Sequence, residues 1–186
     1  MKKLPFFFIF TLAIIAIGCS SEDENLWEDY AEWRETNDNW VNEQKERLNE
    51  NGEKYYTTLV PSWYPSQFIL IHYFNDRTLT ANNPSPHYTS TVDVKYTGWL
   101  YNNESFDSSY DNTASYGDSL YRTKCNNVIQ GWTAALEDMH IGDSCEVIIP
   151  YTMAYGAQES GIIKPYSALR FHIKLVDIPF YEVKEN

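Results

Sequence analysis

The side chains that could support chemistry in this chain are aromatic far more often than nucleophilic or metal-binding. Fifteen tyrosines, nine phenylalanines and six tryptophans make up 16% of the 186 residues. The sequence has no metal-ligand spacing, no Ser/His/Asp order and no phosphate-binding loop, and its histidines stand apart, at His72, His87, His140 and His172. We therefore expect no metal and no cofactor. The aromatic residues predict a binding site or an interaction surface, unless they serve only to fill a core.

The segment 128–150 combines such residues with clear element boundaries. An extended run ends at Gly131, and apolar residues then recur every three or four positions, at Trp132, Ala135, Leu136 and Met139. This spacing predicts one face of a short helix. After a turn at Gly142, alternate apolar residues over 145–149 predict a strand. Because a helix of about two turns is too short to be stable alone, we expect neighbouring strands to cover it.

Four further segments have the composition of strands. Residues 68–74 are apolar on both faces, which predicts a strand buried on both sides. Residues 91–100 and 168–178 alternate between apolar and polar side chains, and residues 106–109 begin a return strand. Together with the strand over 145–149, they predict an α+β fold in which an antiparallel, twisted sheet of about five strands wraps on the short helix.

Residues 25–50 have the pattern of one amphipathic helix that precedes the sheet. Two polar residues, Asn37 and Gln44, interrupt an apolar stripe that contains Leu26, Tyr30, Trp33, Val41 and Leu48. The helix is too short to be a separate domain. It could act as a spacer that docks on its own domain, which we favour together with a monomeric chain, or it could pair with a second copy.

The N-terminus resembles the signal segment of bacterial lipoproteins. Two lysines precede an apolar run over 6–17, and Gly18 stands before Cys19. In such proteins the cysteine is lipidated and becomes the mature N-terminus. An ordinary signal peptide or a membrane helix is the alternative, although the run is short for a membrane span. Since no Asp follows Cys19 and residues 20–24 are largely acidic, the resemblance implies an outer-membrane lipoprotein that faces the periplasm or the cell surface.

Charge and domain organisation limit the classes of partner. The formal net charge is −12 and the pI about 4.6, which excludes binding to nucleic acid and to an anionic membrane surface, since both require a basic face. We predict a signal peptide over 1–18, an acidic linker and helix over 19–54, a domain over 55–180 and a tail over 181–186.

Two cysteines remain once Cys19 carries lipid. In an oxidising compartment an even number suggests pairing. We therefore predict a disulfide between Cys125 and Cys145, which would close a loop around Trp132 and stabilise the fold by roughly 3 kcal/mol in the chain-entropy model. Two buried free thiols are the alternative.

Several short motifs carry a resemblance to a known family. Residues 94–100, 106–109, 128–132, 139–142 and 149–156 stand in the order and spacing of the FKBP-type peptidyl-prolyl cis/trans isomerases. The closing residues Ile162, Ile163, Pro165 and 168–171 are also similar to that family. The resemblance extends over about residues 55 to 178 and leaves 20–54 outside it. It implies an FKBP-like fold and a prolyl isomerase.

The resemblance also implies a role for each residue of a binding pocket. Trp132 would be the pocket floor, and Tyr155 and the backbone N–H of Ile129 would donate hydrogen bonds to substrate carbonyls. Asp107 would be a carboxylate at the rim, held by Tyr96. Apolar walls would come from Tyr96, Phe106, Val128, Ile129, Ile163 and Phe171. The family has a second flap aromatic near Ser119, for which Tyr116 or Tyr121 could substitute.

Such a pocket suits isomerisation of prolyl bonds, which requires no nucleophile, metal or general base. The resemblance implies prolyl peptides or unfolded exported proteins as substrates and macrolides as inhibitors. A catalytically weak module that binds peptides or an envelope partner is the alternative, and a purely structural envelope lipoprotein is a third. A prolyl-peptide assay distinguishes the first from the other two.

Overall fold

The computed structural model describes residues 21–111 and 119–180. The predicted signal peptide, Cys19, Tyr116 and the tail lie outside these residues. Three α-helices are present in this part of the chain: α1 (Ser21–Asp29), α2 (Ala31–Glu46) and α3 (Gln130–Asp138). None of the helices in residues 21–111 and 119–180 is both long and apolar enough to cross a membrane.

Seven strands form one antiparallel sheet in the described ranges. They are β1 (Thr57–Leu59), β2 (Ile69–Tyr73), β3 (Thr91–Leu100), β4 (Ser105–Ser108), β5 (Tyr121–Lys124), β6 (Ser144–Ile149) and β7 (Leu169–Asp177). The strand order is β1-β2-β6-β7-β3-β4, and β5 pairs with the first half of β3. The predicted α+β fold is confirmed. The two additional strands, β1 and β5, have three and four residues, too few for a recognisable alternation.

Helix α3 lies on one face of the sheet and closes the main core. Most of its residues are buried, and Gly131 lets it approach β6 closely: a Cβ at that position would lie 2.4 Å from Cγ2 of Ile149. The short predicted helix over 132–139 is therefore confirmed, together with the reason it cannot stand alone. The largest fully buried side chains around it include Leu136, Met139, Ile149, Leu169, Ile173 and Leu175.

Helix α2 covers the opposite face of the sheet. Val41 packs there in a second buried cluster with Tyr56, Leu70, Ile148 and Ala168. Because the sheet is covered on both faces, β2 is apolar on both faces, as its sequence predicts. The N-terminal segment therefore docks on its own domain.

The prediction of a single helix over 25–50 is wrong, because the segment forms two helices, α1 and α2, and the second ends before residue 50. The helix is interrupted at Tyr30 (φ −105°, ψ 16°), and α2 ends at Glu46. After α2 a turn forms because the Asn49 carboxamide oxygen accepts hydrogen bonds from the N–H groups of Asn51 and Glu53. Asparagine favours such turns, since its side chain mimics a backbone acceptor.

The disulfide predicted between Cys125 and Cys145 is wrong, because both cysteines are free and fully buried. The Cys125 carbonyl accepts a hydrogen bond from Thr133 near the start of α3. The Cys145 sulfur lies 3.7 Å from the Met139 sulfur at the other end of that helix. Six helical residues correspond to roughly 9 Å, so α3 separates the thiols. Counting cysteines gave no information on this placement.

Candidate active site

A cavity of about 370 Å³ opens where the start of α3 meets β3, β4 and β7. Trp132 is 4% exposed and lies at its base. The residues that line the cavity are Tyr96, Phe106, Asp107, Tyr121, Asn127, Val128, Ile129, Trp132, Tyr155 and Phe171. Eight of the nine residues predicted to form the pocket are among them.

Four aromatic rings at the base of the cavity hold one another edge to face. The Trp132 ring centroid lies 4.9 Å from that of Tyr96 and 5.3 Å from that of Phe171, with interplanar angles of 86° and 88°. Phe106 contacts Phe171 in the same way, at 5.4 Å. Such pairs are favourable because the positive edge of one ring faces the negative face of the next. The result is a rigid apolar base.

Gly98 of β3 makes room for two of these rings. A Cβ at this position would lie 2.6 Å from Cζ of Phe106 and 2.8 Å from Cε1 of Phe171. The register of the sheet explains the proximity, since Gly98 pairs with Phe171 on β7 and with Asp107 on β4. A glycine is therefore required where the two walls of the cavity converge.

Tyr96 and Asp107 form a polar contact at the rim. The Tyr96 hydroxyl donates a 2.5 Å hydrogen bond to the Asp107 carboxylate. Burial, and then this hydrogen bond, raises the pKa of Tyr96 well above its usual range. The hydroxyl therefore keeps its proton and holds the exposed carboxylate in one place, as the resemblance implied.

Two donors at the cavity have no partner within residues 21–111 and 119–180. Tyr155 is 37% exposed, and its hydroxyl makes no hydrogen bond to these residues. Ile129 precedes the first turn of α3, where backbone N–H groups have no intrahelical acceptor. Both donors are thus available to the carbonyl groups of a bound chain.

Ile163 is the one predicted wall residue that does not line the cavity. It is 4% exposed, belongs to the main core and pairs with Ser160 across a tight turn. Tyr121 of β5 and Asn127 line the cavity instead. Tyr121 contacts the Tyr96 ring at 5.5 Å and occupies the region where an alternative flap aromatic was predicted. Asn127 was missed, although its position directly before Val128 was a usable signal.

Apolar and aromatic side chains form most of the cavity lining. No cysteine or histidine lines it, and the described residues contain no cluster of three or more potential metal ligands. The one carboxylate in its lining, that of Asp107, accepts a hydrogen bond from the Tyr96 hydroxyl. The cavity thus combines an apolar lining with hydrogen-bond donors at its edge that have no acceptor among the described residues.

Comparisons with known proteins agree with this architecture. The FKBP-type peptidyl-prolyl cis-trans isomerase family matches residues 83–176. The macrophage infectivity potentiator of Trypanosoma cruzi is 39% identical over 95 residues, which cover 50% of this chain and 46% of that protein. The chain thus spans about half the length of that relative. The FK506-binding protein of Neisseria meningitidis is 35% identical over 88 residues, 47% of this chain and 78% of that protein.

A solved structure shows a likeness of fold over most of the chain. The crystal structure of FkpA from Escherichia coli superposes with a TM-score of 0.65 over 84% of this chain and 63% of that chain, at 23% identity. At this identity the likeness concerns the fold alone. The family match covers half of the chain, and it includes every residue that lines the cavity. The chain belongs to the FKBP-type peptidyl-prolyl cis-trans isomerase family.

Proposed function

We propose that this protein catalyses the cis/trans isomerisation of Xaa-Pro peptide bonds. The observation that carries the proposal is the cavity itself: an edge-to-face aromatic base around Trp132, with two donors at its edge, Tyr155 and the Ile129 N–H, that have no partner among the described residues. The family match supports the same reaction.

The barrier to rotation comes from amide resonance and is about 18–20 kcal/mol. A twisted amide has less charge separation than a planar one, so an apolar cavity that excludes water favours the twisted form. Hydrogen bonds from Tyr155 and Ile129 to flanking carbonyls would hold the chain while the prolyl bond rotates. Each ~1.4 kcal/mol removed from the barrier raises the rate about tenfold.

The walls of the cavity predict which residue precedes the proline. Phe106 and Phe171 offer apolar contacts there, and the exposed carboxylate of Asp107 repels an acidic side chain. We therefore expect peptides with Leu or Phe before proline to be better substrates than those with Glu.

A protease-coupled assay on a peptide series that differs only in that residue tests this proposal. We expect kcat/KM to be highest for Leu-Pro and lowest for Glu-Pro. The difference for Glu-Pro should shrink at 1 M salt, where charge repulsion is screened within about 3 Å. Equal values across the series at low salt would contradict the assignment of these walls.

We further propose that the enzyme acts on unfolded exported proteins from a lipid anchor at Cys19 in the outer membrane. The lipoprotein-like sequence before Cys19 supports this placement. Macrolides of the kind named by the Neisseria relative are proposed ligands of the same cavity. Replacing Cys19 with Ala should move the protein from the membrane fraction to the soluble fraction or leave it uncleaved. A Cys19→Ala protein that is still cleaved after residue 18 and still remains in the membrane fraction would contradict the anchor.

A further inference from the structure

The loop that carries Tyr155 is fastened at two backbone positions. The Gly156 N–H donates to the Tyr151 carbonyl at 3.0 Å, and the Tyr166 N–H donates to the Gly156 carbonyl at 2.8 Å. Both hydrogen bonds involve the residue directly after Tyr155. The position of the Tyr155 side chain at the cavity therefore depends on where Tyr151 and Tyr166 are held.

Tyr166 adopts a backbone conformation that its residue type disfavours. Its φ is +62°, in the left-handed region where a Cβ crowds the following carbonyl. Residues other than glycine persist in this conformation only when their surroundings fix them, and such residues are concentrated at functional sites. The Tyr166 side chain is 6% exposed. Contacts with neighbouring residues must therefore hold the Tyr166 ring in place.

The N-terminal helical segment provides these contacts. Trp27 of α1 meets the Tyr166 ring edge to face at 5.4 Å, and Tyr30 lies 6.5 Å from it. Tyr151 contacts the ring from the loop side, at 5.4 Å. Arg34 of α2 fixes Trp27 in turn, because its guanidinium lies 3.2 Å from the indole centroid and Nη1 donates to the Trp27 carbonyl at 2.7 Å.

Helix α2 also holds the end of the same loop. The Trp33 indole N–H donates to the Ser167 hydroxyl at 3.0 Å, and that hydroxyl donates to the Lys164 carbonyl at 2.7 Å. The Asn37 carboxamide oxygen accepts the Ala168 N–H at 2.9 Å. The segment from Lys164 to the start of β7 is thus attached to residues outside the family match, which begins at residue 83.

We infer that α1 and α2 position the Tyr155 loop for catalysis, with Trp27 acting through Tyr166. This inference rests on the proposed isomerase function and assigns a role to a segment that the family match does not include. Trp27 is a positioning residue: it touches neither the cavity nor a ligand. A removal of Trp27 should loosen the backbone around Tyr166 and Gly156 and so displace the Tyr155 hydroxyl.

The test is a double-mutant cycle in the full chain with Trp27→Ala and Tyr155→Phe. Loss of one hydrogen bond predicts a fall in kcat/KM of about 2- to 12-fold for Tyr155→Phe. We expect Trp27→Ala to lower kcat/KM by no more than Tyr155→Phe does. In the Tyr155→Phe background Trp27→Ala should cause no further loss of kcat/KM, since both changes remove the same hydrogen bond of Tyr155. Trp27→Phe, which keeps an aromatic edge, should restore most of the activity.

A matched control comes from the same pair of helices. Trp40 packs against the Val41 cluster and makes no ring contact with Tyr166 in the described part of the chain. Trp40→Ala should therefore leave kcat/KM unchanged even if it lowers the melting temperature. Fully additive losses for Trp27→Ala and Tyr155→Phe, or an equal effect of Trp40→Ala on kcat/KM, would overturn the inference.

Amide hydrogen exchange separates this inference from the proposed function. In Trp27→Ala, but not in Trp40→Ala, the exchange rates of the Tyr166 and Gly156 amides should rise severalfold, whether or not the protein is active. Unchanged exchange at these two amides would overturn the positioning role. An inactive wild-type protein that shows the expected exchange pattern would contradict the isomerase function alone.

Discussion

Tyr155 and Asp107 lie at the same cavity but differ in what holds them. Asp107 is tied to Tyr96 by a short hydrogen bond, whereas the Tyr155 hydroxyl has no partner in the described part of the chain. A change at Asp107 therefore alters the site and its support together. A change at Tyr155 removes only a group that a ligand would use.

We predict that Tyr155→Phe lowers kcat/KM about 2- to 12-fold, because a net hydrogen bond is worth about 0.5–1.5 kcal/mol. The melting temperature should not change, since the hydroxyl supports no other described residue. Tyr64→Phe is a matched control, because Tyr64 has the same 37% exposure and lies outside the cavity. Equal activities of the two variants in a prolyl-peptide assay would contradict the role of Tyr155.

A second residue-scale prediction concerns Glu146, on the α2 side of the sheet. Burial alone raises the pKa of Glu146, but hydrogen bonds from His172 and Tyr56 outweigh burial and leave its pKa below that of an ordinary glutamate. A depressed pKa contributes stability above the unfolded value of about 4.3, and this contribution is lost as the pH falls through the folded value.

The free energy of unfolding should therefore fall as the pH drops below about 4.3. The decline should be shallower in Glu146→Gln. Glu159→Gln, at an exposed carboxylate, should follow the wild type. Urea denaturation between pH 7 and pH 3 measures all three proteins, and identical slopes for wild type and Glu146→Gln would contradict this account.

At the residue scale the sequence predicted most of the cavity because the family motifs lie in the elements that build it. Ile163 does not line the cavity, because a motif gives the order of residues and not the direction of each side chain. It lies in the same buried cluster as Trp132 and Phe171. Asn127 was missed because the motif that predicted this part of the cavity begins at Val128, one residue after it.

At the scale of elements, a buried polar residue is one of the attachments between the N-terminal helix α2 and the sheet. Asn37 is fully buried, its amide donates to the Trp33 carbonyl and its carbonyl oxygen accepts the Ala168 N–H. The apparent interruption of the apolar stripe at Asn37 is thus a hydrogen-bonded attachment to the start of β7.

We predict that Asn37→Ala lowers the free energy of unfolding by about 1–3 kcal/mol, because it leaves the Ala168 N–H buried without an acceptor. Asn39→Ala makes the same replacement at an exposed position of α2, where alanine favours the helix, so its stability should stay the same or rise. Chemical denaturation measures both. A similar effect of the two changes would contradict the attachment.

The elements that sequence patterns found are those long enough to show a period. The bounds of β3 agree with the predicted 91–100, whereas β1 and β5 are too short for alternation to be visible. The break at Tyr30 has no glycine or proline to signal it. It lies where the Tyr30 ring comes within 6.5 Å of the Tyr166 ring, a tertiary contact that periodicity does not show.

At the scale of the whole molecule, α2 and α3 cover opposite faces of one sheet. The apolar stripe of the N-terminal helix is buried within the chain at Val41, which is 4% exposed, whereas Leu48 at its end is 56% exposed. The sequence left open whether this stripe docks internally or pairs with another copy, because periodicity shows that a face is apolar but not what it contacts.

We predict that the protein without residues 1–18 is a monomer over a wide range of concentrations, because the middle of its N-terminal stripe, at Val41, is buried against its own sheet. Sedimentation in detergent, or of a Cys19→Ala protein, measures this. A dimer that disappears when residues 19–54 are removed would contradict the internal docking.

The measurement that tests the central claim most directly is exchange NMR on a Leu-Pro peptide, with the folded wild-type protein added in catalytic amount. Uncatalysed exchange takes tens to hundreds of seconds. The account predicts faster exchange in both directions, with an unchanged cis:trans ratio and a smaller acceleration for Tyr155→Phe. An exchange rate that stays at the uncatalysed value, with protein shown to be folded by circular dichroism, would contradict it.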